Sequence, residues 1–337
     1  MPTCELCQTR EANKKNTHYL TDSIIRTCLN LDGTNEREKG LYFSLDNTKL
    51  PIEFNFQRLS GTTLEEHIGR LPTDHEIENA KQIPFSADFI FCSVCEKHFT
   101  EIETEFITSI LPLFRNYNLD NISSISSEKI TIIRNFFYIQ IFRSAICDDG
   151  FNIENNLCEK LRLIILNKSG DSTIPLAITY LQTTGGNEHY TENLVGFTDD
   201  KNPYIILMND FIIQLYESEG KIDFLDFYGL NKEVNYKNFI NINEKNFIFN
   251  IFKNDDRRTF LNCLTINEFV LLKIEGYKFI FNMLWKRITG DEAPIHEVND
   301  YLDKLVNYDL TNIMKYTEEE LINSIINHLS KIFNLGA

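Results

Sequence analysis

Two Cys-x2-Cys pairs, Cys4-Glu5-Leu6-Cys7 and Cys92-Ser93-Val94-Cys95, constrain this chain more than any other feature. Each pair puts two thiols on one tight turn. Zinc takes four ligands in a tetrahedron, so two such turns can close a single ion between them. The pairs are separated by 84 intervening residues, so a shared ion requires the fold to bring residue 92 back to residues 4–7. The competing reading is two unrelated pairs that share a spacing by chance. Cys28, His18 and His98 are reserve ligands, and His98 extends the second pair to Cys-x2-Cys-x2-His. Cys147, Cys158 and Cys263 lie in apolar, helix-patterned stretches and read as core residues.

A 337-residue chain with 42% hydrophobic content has enough core to do without disulfide staples, so its eight cysteines read as thiols or thiolate ligands in a reducing compartment. Cys4, Glu5 and Cys7 stand where a secretory leader would be charged and then apolar. The greasiest stretch, Phe260 to Trp285, is broken by Glu268, Lys273 and Glu275 and reads as a buried helix. The expectation is a cytoplasmic protein with no membrane partner. Abundant Asn, Ile, Lys and Phe with little Ala or Gly points to an AT-rich, bacterial genome. The formal net charge is −16, of which the first hundred residues carry −4 and the rest −12. Such a surface repels phosphate backbones, so a nucleic-acid role needs a local basic patch, a basic partner or bridging metal ions.

Residues 41–45 and 52–56 have strand character, and Thr73 with Glu76 forms a capping box for a helix over 74–81. Asp88–Phe91 reads as a strand leading into the second cysteine pair. From Cys95, the spacing of Phe99, Ile102, Phe106, Ile110 and Leu113 predicts an amphipathic helix. A serine-rich loop at 123–127 precedes helices over 128–147 and 155–167. In FFYIQIFRSAI, Gln140 and Arg143 sit one turn apart; the arginine needs a carboxylate or carbonyl partner, in the β-rich region or in a polar pocket. The period then turns to strands at 174–181, 193–197, 204–208, 211–216 and 222–227, separated by turn residues, which predicts an antiparallel meander. TTGGNEHYTEN (183–193) reads as a hairpin loop. A long helix over 259–288 ends at Gly290, and two more cover 295–307 and 317–333.

A knuckle at the start, the stretch N-T-H-Y-L-T (16–21) and the strand–C-S-V-C-E-K-H-F–helix unit (92–99) together resemble the treble-clef HNH, or His-Me finger, endonucleases. The resemblance covers roughly the first 110 residues, with a long insertion at 30–88 between its halves. It implies that His18 is the general base, since a neutral imidazole suits proton abstraction near neutral pH. It also implies a catalytic Mg²⁺ or Mn²⁺ that neutralises charge on the scissile phosphate. The family's ligand after the last cysteine is His or Asn; here that position is Glu96, a carboxylate suited to Mg²⁺, with His98 two residues on. Asn47 and Asn55 are candidates for the family's middle Asn. On the residues alone, His18 equally fits a zinc ligand or a cap before TDSIIRTCL. Glu96 also fits an ordinary acidic first turn, and His98 a surface position.

These readings converge on an α+β protein. A zinc-bound, treble-clef-like module spans 1–120, with structural Zn²⁺ on Cys4, Cys7, Cys92 and Cys95. A larger acidic helical domain with an antiparallel sheet spans 121–337 and serves assembly or regulation. The expected activity is metal-dependent phosphodiester hydrolysis by an HNH-like endonuclease, with His18, Glu96 and His98 as candidate catalytic residues. DNA or RNA would meet the N-terminal module and a protein partner the acidic domain, in a bacterial antiviral-defence or mobile-element setting. The alternative is a non-catalytic, zinc-stabilised adaptor that keeps a degenerate module.

Overall fold

The structure is a computed structural model and describes residues 2–25, 41–43, 54–56, 65, 71–74, 77, 85–115, 119, 121–182, 195–198, 200–264, 267, 270–316 and 318–334. It is an α+β fold whose described residues fall into two compact units, one reaching Leu261 and one from Asn262 onward.

In the first unit, β1 (Thr17–His18) pairs antiparallel with β4 (Ser86–Ala87), His18 opposite Ser86. Strand β2 (Leu41–Phe43) pairs antiparallel with β3 (Phe54–Phe56). The helix expected over 74–81 lies mostly outside the described residues, although the Ile77 N–H bonds the Thr73 carbonyl at 3.0 Å. The strand expected at Asp88–Phe91 is a bend instead. Phe89 has φ +59°, and the backbone of this segment is used on the N-terminal hairpin. Its N–H reaches the Lys14 carbonyl at 2.6 Å, while the Ile90 and Phe91 carbonyls accept from Glu5, Asn13 and Lys14 at 3.1–3.2 Å. Groups committed in this way have none left for a sheet ladder.

Helix α1 (Asp22–Ile25) follows β1, and α2 (Ser93–Ser109) starts at the second cysteine pair. Its apolar residues bury Cys95, Phe99, Ile102 and Phe106 on one face, and the short α3 (Pro112–Arg115) extends the run. The central helix α4 (Ile130–Cys147) is buried without a break from Ile133 to Ser144, so it has no solvent face along that stretch. Helix α5 (Asn155–Asn167) is one-sided, burying Leu157, Leu161, Ile164 and Ile165, as its spacing predicts.

The main sheet runs β5 (Ser124–Ser127), β11 (Phe247–Phe252), β6 (Leu176–Leu181), β9 (Phe211–Leu215), β8 (Tyr204–Met208), β7 (Val195–Phe197). The short β10 (Ile240–Asn241) also pairs with β6. All pairings are antiparallel except β11 with β6. The sheet is therefore mixed where a pure meander was expected. The serine-rich 123–127 segment forms the edge strand β5, and 222–227 forms no strand. Alternate residues, such as Phe211, Ile213 and Leu215, enter the core that also contains Cys4, Cys92 and Cys95. Aromatic contacts weld the layers: Phe106 stacks on Phe136 at 3.8 Å and meets Phe211 edge-on at 5.9 Å, while Phe114 meets Phe249 at 4.9 Å.

Arg134 ties α4 to the sheet. It is fully buried, and its Nε and Nη2 donate to the two carboxylate oxygens of Glu244 at 2.8 Å each. It also donates to the Ile174 carbonyl at 2.8 Å, to the Asn241 carbonyl at 2.9 Å and to the Tyr138 hydroxyl. Such a group stabilises only while every donor is matched.

The helix expected over 259–288 is described in two parts, α6 (Asn254–Leu264) and α7 (Leu271–Thr289). Residues 265–266 and 268–269 lie outside the described residues, and Asn267 and Val270 between the parts are themselves helical. In the second unit, α7 buries Ile274, Tyr277, Phe281 and Trp285 and stops at Gly290, whose φ of +89° suits a residue without a Cβ. Helices α8 (Ile295–Val306) and α9 (Glu318–Phe333) complete it. His328 lies between the rings of Phe281 at 6.0 Å and Tyr301 at 5.1 Å, and its Nε2 is buried without a partner among the described residues. Burial, reinforced by Lys304, holds this imidazole below its usual pKa. Among the described residues no helix is long and apolar enough to cross a membrane.

Two outcomes follow from these buried polar groups. Replacing Arg134 by Met strands Glu244 and is expected to lower unfolding free energy by about 3–5 kcal/mol in urea titrations. His328 favours its neutral form when folded, so its contribution is present above the unfolded value of 6.5 and is lost as pH falls below it. Thermal melts of the His328→Phe variant are expected to lose part of the wild-type decline between neutral pH and pH 5.

Candidate metal centre

The first cysteine pair sits at the tip of a small hairpin in which Thr3 bridges Glu11. The Cys4 N–H donates to the Arg10 carbonyl at 2.8 Å, and the Gln8 N–H to the Cys4 carbonyl at 2.9 Å. Gln8 adopts φ +54°, which turns the chain back on itself. The second pair belongs to the start of α2, with Cys92 at the N-cap and Cys95 in the first turn. One backbone bond and one backbone-to-side-chain bond tie the two together: the Glu5 N–H donates to the Ile90 carbonyl at 3.1 Å, and the Ser93 N–H to Asn13 Oδ1 at 2.9 Å.

This tethering brings the sulfurs of Cys4, Cys7, Cys92 and Cys95 within 4.8 Å of one another. A tetrahedral zinc with Zn–S near ~2.3 Å needs sulfurs about 3.8 Å apart, so small side-chain adjustments close the set. Cys4, Cys92 and Cys95 are buried and Cys7 is half-buried. The donor chemistry fits a soft or borderline ion such as zinc.

The thiols are unequal. Burial pushes Cys4 up against the opposing N–H groups of Cys7, Cys92 and Leu6. Burial also drives Cys95 far above its ordinary range, and the neighbouring Cys92 and Cys4 sulfurs add to the rise. Burial weighs on Cys7 too, but the Thr9 hydroxyl and the Thr9 and Arg10 N–H groups bring it down to about 6. At Cys92 burial is outweighed by the Cys95 N–H, the Cys95 thiol and further donors; no regular side-chain cap bond closes there. The Arg10 guanidinium, bonded to the Cys92 sulfur, adds positive charge at the rim. Two thiols are thus shifted down and two up, and a divalent cation at their centre would favour the thiolate form of all four.

None of the other sequence candidates among the described residues joins this cluster. His18 is outside the four-thiol set, on β1, with Nε2 3.9 Å from Oδ1 of Asp22 and one fifth of its side chain exposed. Glu96 follows the last cysteine in the first turn of α2. Its Oε1 is buried with no hydrogen-bond partner among the described residues. Burial raises its pKa; Arg143 opposes the rise and Glu103 adds to it. His98 faces α5, and its Nε2 donates to the Ile165 carbonyl at 2.7 Å, which leaves Nδ1 as the acceptor of the neutral ring. Cys28, Asn47 and the whole loop 183–193 lie outside the described residues, and of Asn55 only the backbone of β3 is described. Cys147 and Cys158 behave as core thiols, burial pushing Cys147 up to about 12 and Cys158 in the same direction.

Gln140 and Arg143 find their partners on the cysteine side of the molecule. Arg143 Nη1 donates to Glu103 Oε1 at 2.7 Å, and the Gln140 amide clasps Thr21. Sequence reasoning missed Thr21, Asp22 and Glu103. Asp22, four residues after His18, carried a weak spacing signal.

Comparison with protein-family models, with curated proteins and with solved structures found no match to this chain.

Purified protein is expected to hold about one zinc per chain by elemental analysis. Cys95→Ser is expected to lose most of that metal and to melt at lower temperature, while Cys263→Ser retains both. Equal zinc in the two variants would remove Cys95 from the ligand set.

Proposed function

We propose that the chain is an HNH-like, metal-dependent endonuclease in which His18 is the general base and Glu96 holds the catalytic cation. The observation that carries this reading is the setting of His18. It is not one of the clustered metal-binding groups, and it lies on the strand leading from the first knuckle, beside a carboxylate. An imidazole with a carboxylate within ion-pair range is the kind of group that serves as a base for water activation. The order hairpin strand, paired strand, knuckle and helix supports a treble-clef-like module. The orphaned Oε1 of Glu96 is a hard oxygen donor of the kind Mg²⁺ or Mn²⁺ accepts. Such an ion, when bound, would neutralise charge on the scissile phosphate and the leaving oxygen. His98 is the second candidate ligand, through Nδ1.

In this reading residues 1–120 act on DNA or RNA, and the acidic remainder serves assembly or regulation through a protein partner. A bacterial cytoplasm, with a role in antiviral defence, is the setting we propose. A second reading is favoured by two observations: the net charge of −16, and a glutamate where the family has His or Asn. It makes the protein a zinc-stabilised adaptor without catalysis.

With plasmid DNA and single-stranded RNA as substrates, His18→Ala is expected to reduce Mn²⁺- or Mg²⁺-dependent cleavage by at least about 100-fold. Zinc content should stay at the wild-type level. Indistinguishable cleavage by wild type and variant would defeat the nuclease reading, and no cleavage by either would favour the adaptor.

A further inference from the structure

Three residues beyond His18, the chain is gripped from behind. The Thr21 N–H donates to Gln140 Oε1 at 2.9 Å, and Gln140 Nε2 donates to Thr21 Oγ1 at 2.8 Å. Thr21 Oγ1 donates onward to Glu103 Oε1 at 2.9 Å, and Arg143 Nη1 donates to the same oxygen at 2.7 Å. Tyr19, next to His18, donates its hydroxyl to Asp148 Oδ2 at 2.6 Å. Gln140, Thr21 and Arg143 are all buried, and the Arg143 guanidinium lies over the Phe99 ring at 5.1 Å.

We infer that Gln140 and Arg143, with Glu103 and Thr21, form a positioning network through which helix α4 sets the His18 imidazole and its Asp22 partner against α2. This inference rests on the reading of His18 as a base. Thr21 is the residue through which α4 reaches Asp22. Its carbonyl accepts the Ile24 and Ile25 N–H groups that open α1, so fixing Thr21 fixes Asp22, the next residue. Asp22 in turn faces His18 at 3.9 Å. Both sides of the histidine–aspartate pair are thus referred to one rigid helix. The network also links that pair to α2 through Glu103, seven residues after Glu96 and on the same helical face. Apolar residues of similar volume would fill this space at lower desolvation cost. What the bonds among Thr21, Gln140, Glu103 and Arg143 add is one defined register. Reactive geometry is sensitive to that register, because a displacement near 1 Å costs on the order of 100-fold in rate.

The test uses the full-length, zinc-loaded protein and two readouts, cleavage kinetics and the ¹H–¹⁵N resonances of the His18 imidazole. Gln140→Leu removes both bonds to Thr21 while preserving side-chain bulk. Zinc content is expected to be unchanged, kcat to fall between about 10- and 100-fold with KM within about twofold, and the His18 resonances to shift or broaden. Thr21→Val removes the hydroxyl and is expected to act in the same direction, with Thr21→Ser restoring both readouts. If Gln140→Leu does not fold, the Thr21 pair decides alone. Wild-type kcat and wild-type His18 resonances in folded Thr21→Val would overturn the inference. Failure of the functional reading is distinguishable, because it leaves no His18-dependent cleavage in the wild type while the resonances still report whether the network positions the ring.

Discussion

Four sulfurs within 4.8 Å of one another cannot all ionise unless positive charge sits between them. That constraint organises the N-terminal part of the molecule. It ties the hairpin at residues 3–11 to the first turn of α2, although the two are far apart in sequence. The intervening chain must leave and return, and β1 pairing with β4 marks the point where it does. The bend at Asp88–Phe91 follows from the same closure, since its carbonyls serve the hairpin that carries Cys4 and Cys7.

Beyond the cysteines, stability passes through α4, a helix with apolar surface on every side and two arginines buried within it. Each arginine faces a different part of the fold. Arg134 is matched by Glu244 and by carbonyls at the sheet, and Arg143 pairs through Nη1 with Glu103 on α2 while its Nε is buried without a hydrogen-bond partner among the described residues. An unmatched buried guanidinium costs several kcal/mol, so these pairs dictate which face of α4 meets which neighbour in a way that interchangeable phenylalanines cannot. The cysteine cluster and the sheet share one continuous core as a result.

Much of this was legible from the amino acids. The Cys-x2-Cys pairs announced the thiol cluster, and α5 and β8 lie where hydrophobic spacing put them. What escaped had physical reasons. Ser124–Ser127 reads as a loop because serine has little strand preference, yet pairing with β11 supplies an edge partner that no local pattern reveals. The parallel pairing of β11 with β6 joins segments some seventy residues apart, and only tertiary packing selects it. Gln140 and Arg143 stood out as polar residues in an apolar helix, but helical spacing cannot say whether a side chain meets the sheet or the knuckle helix. Thr21 and Glu103, which answer them, look like ordinary surface residues until the fold buries Thr21 and half-buries Glu103.

The most direct measurement is zinc K-edge X-ray absorption on the purified protein. Four sulfur scatterers at about 2.3 Å, with no nitrogen or oxygen in the first shell, are the expected result for an ion held by Cys4, Cys7, Cys92 and Cys95. A first shell containing an imidazole nitrogen would bring His18 or His98 into the metal set and contradict a four-cysteine centre. Absence of bound metal would contradict the centre itself.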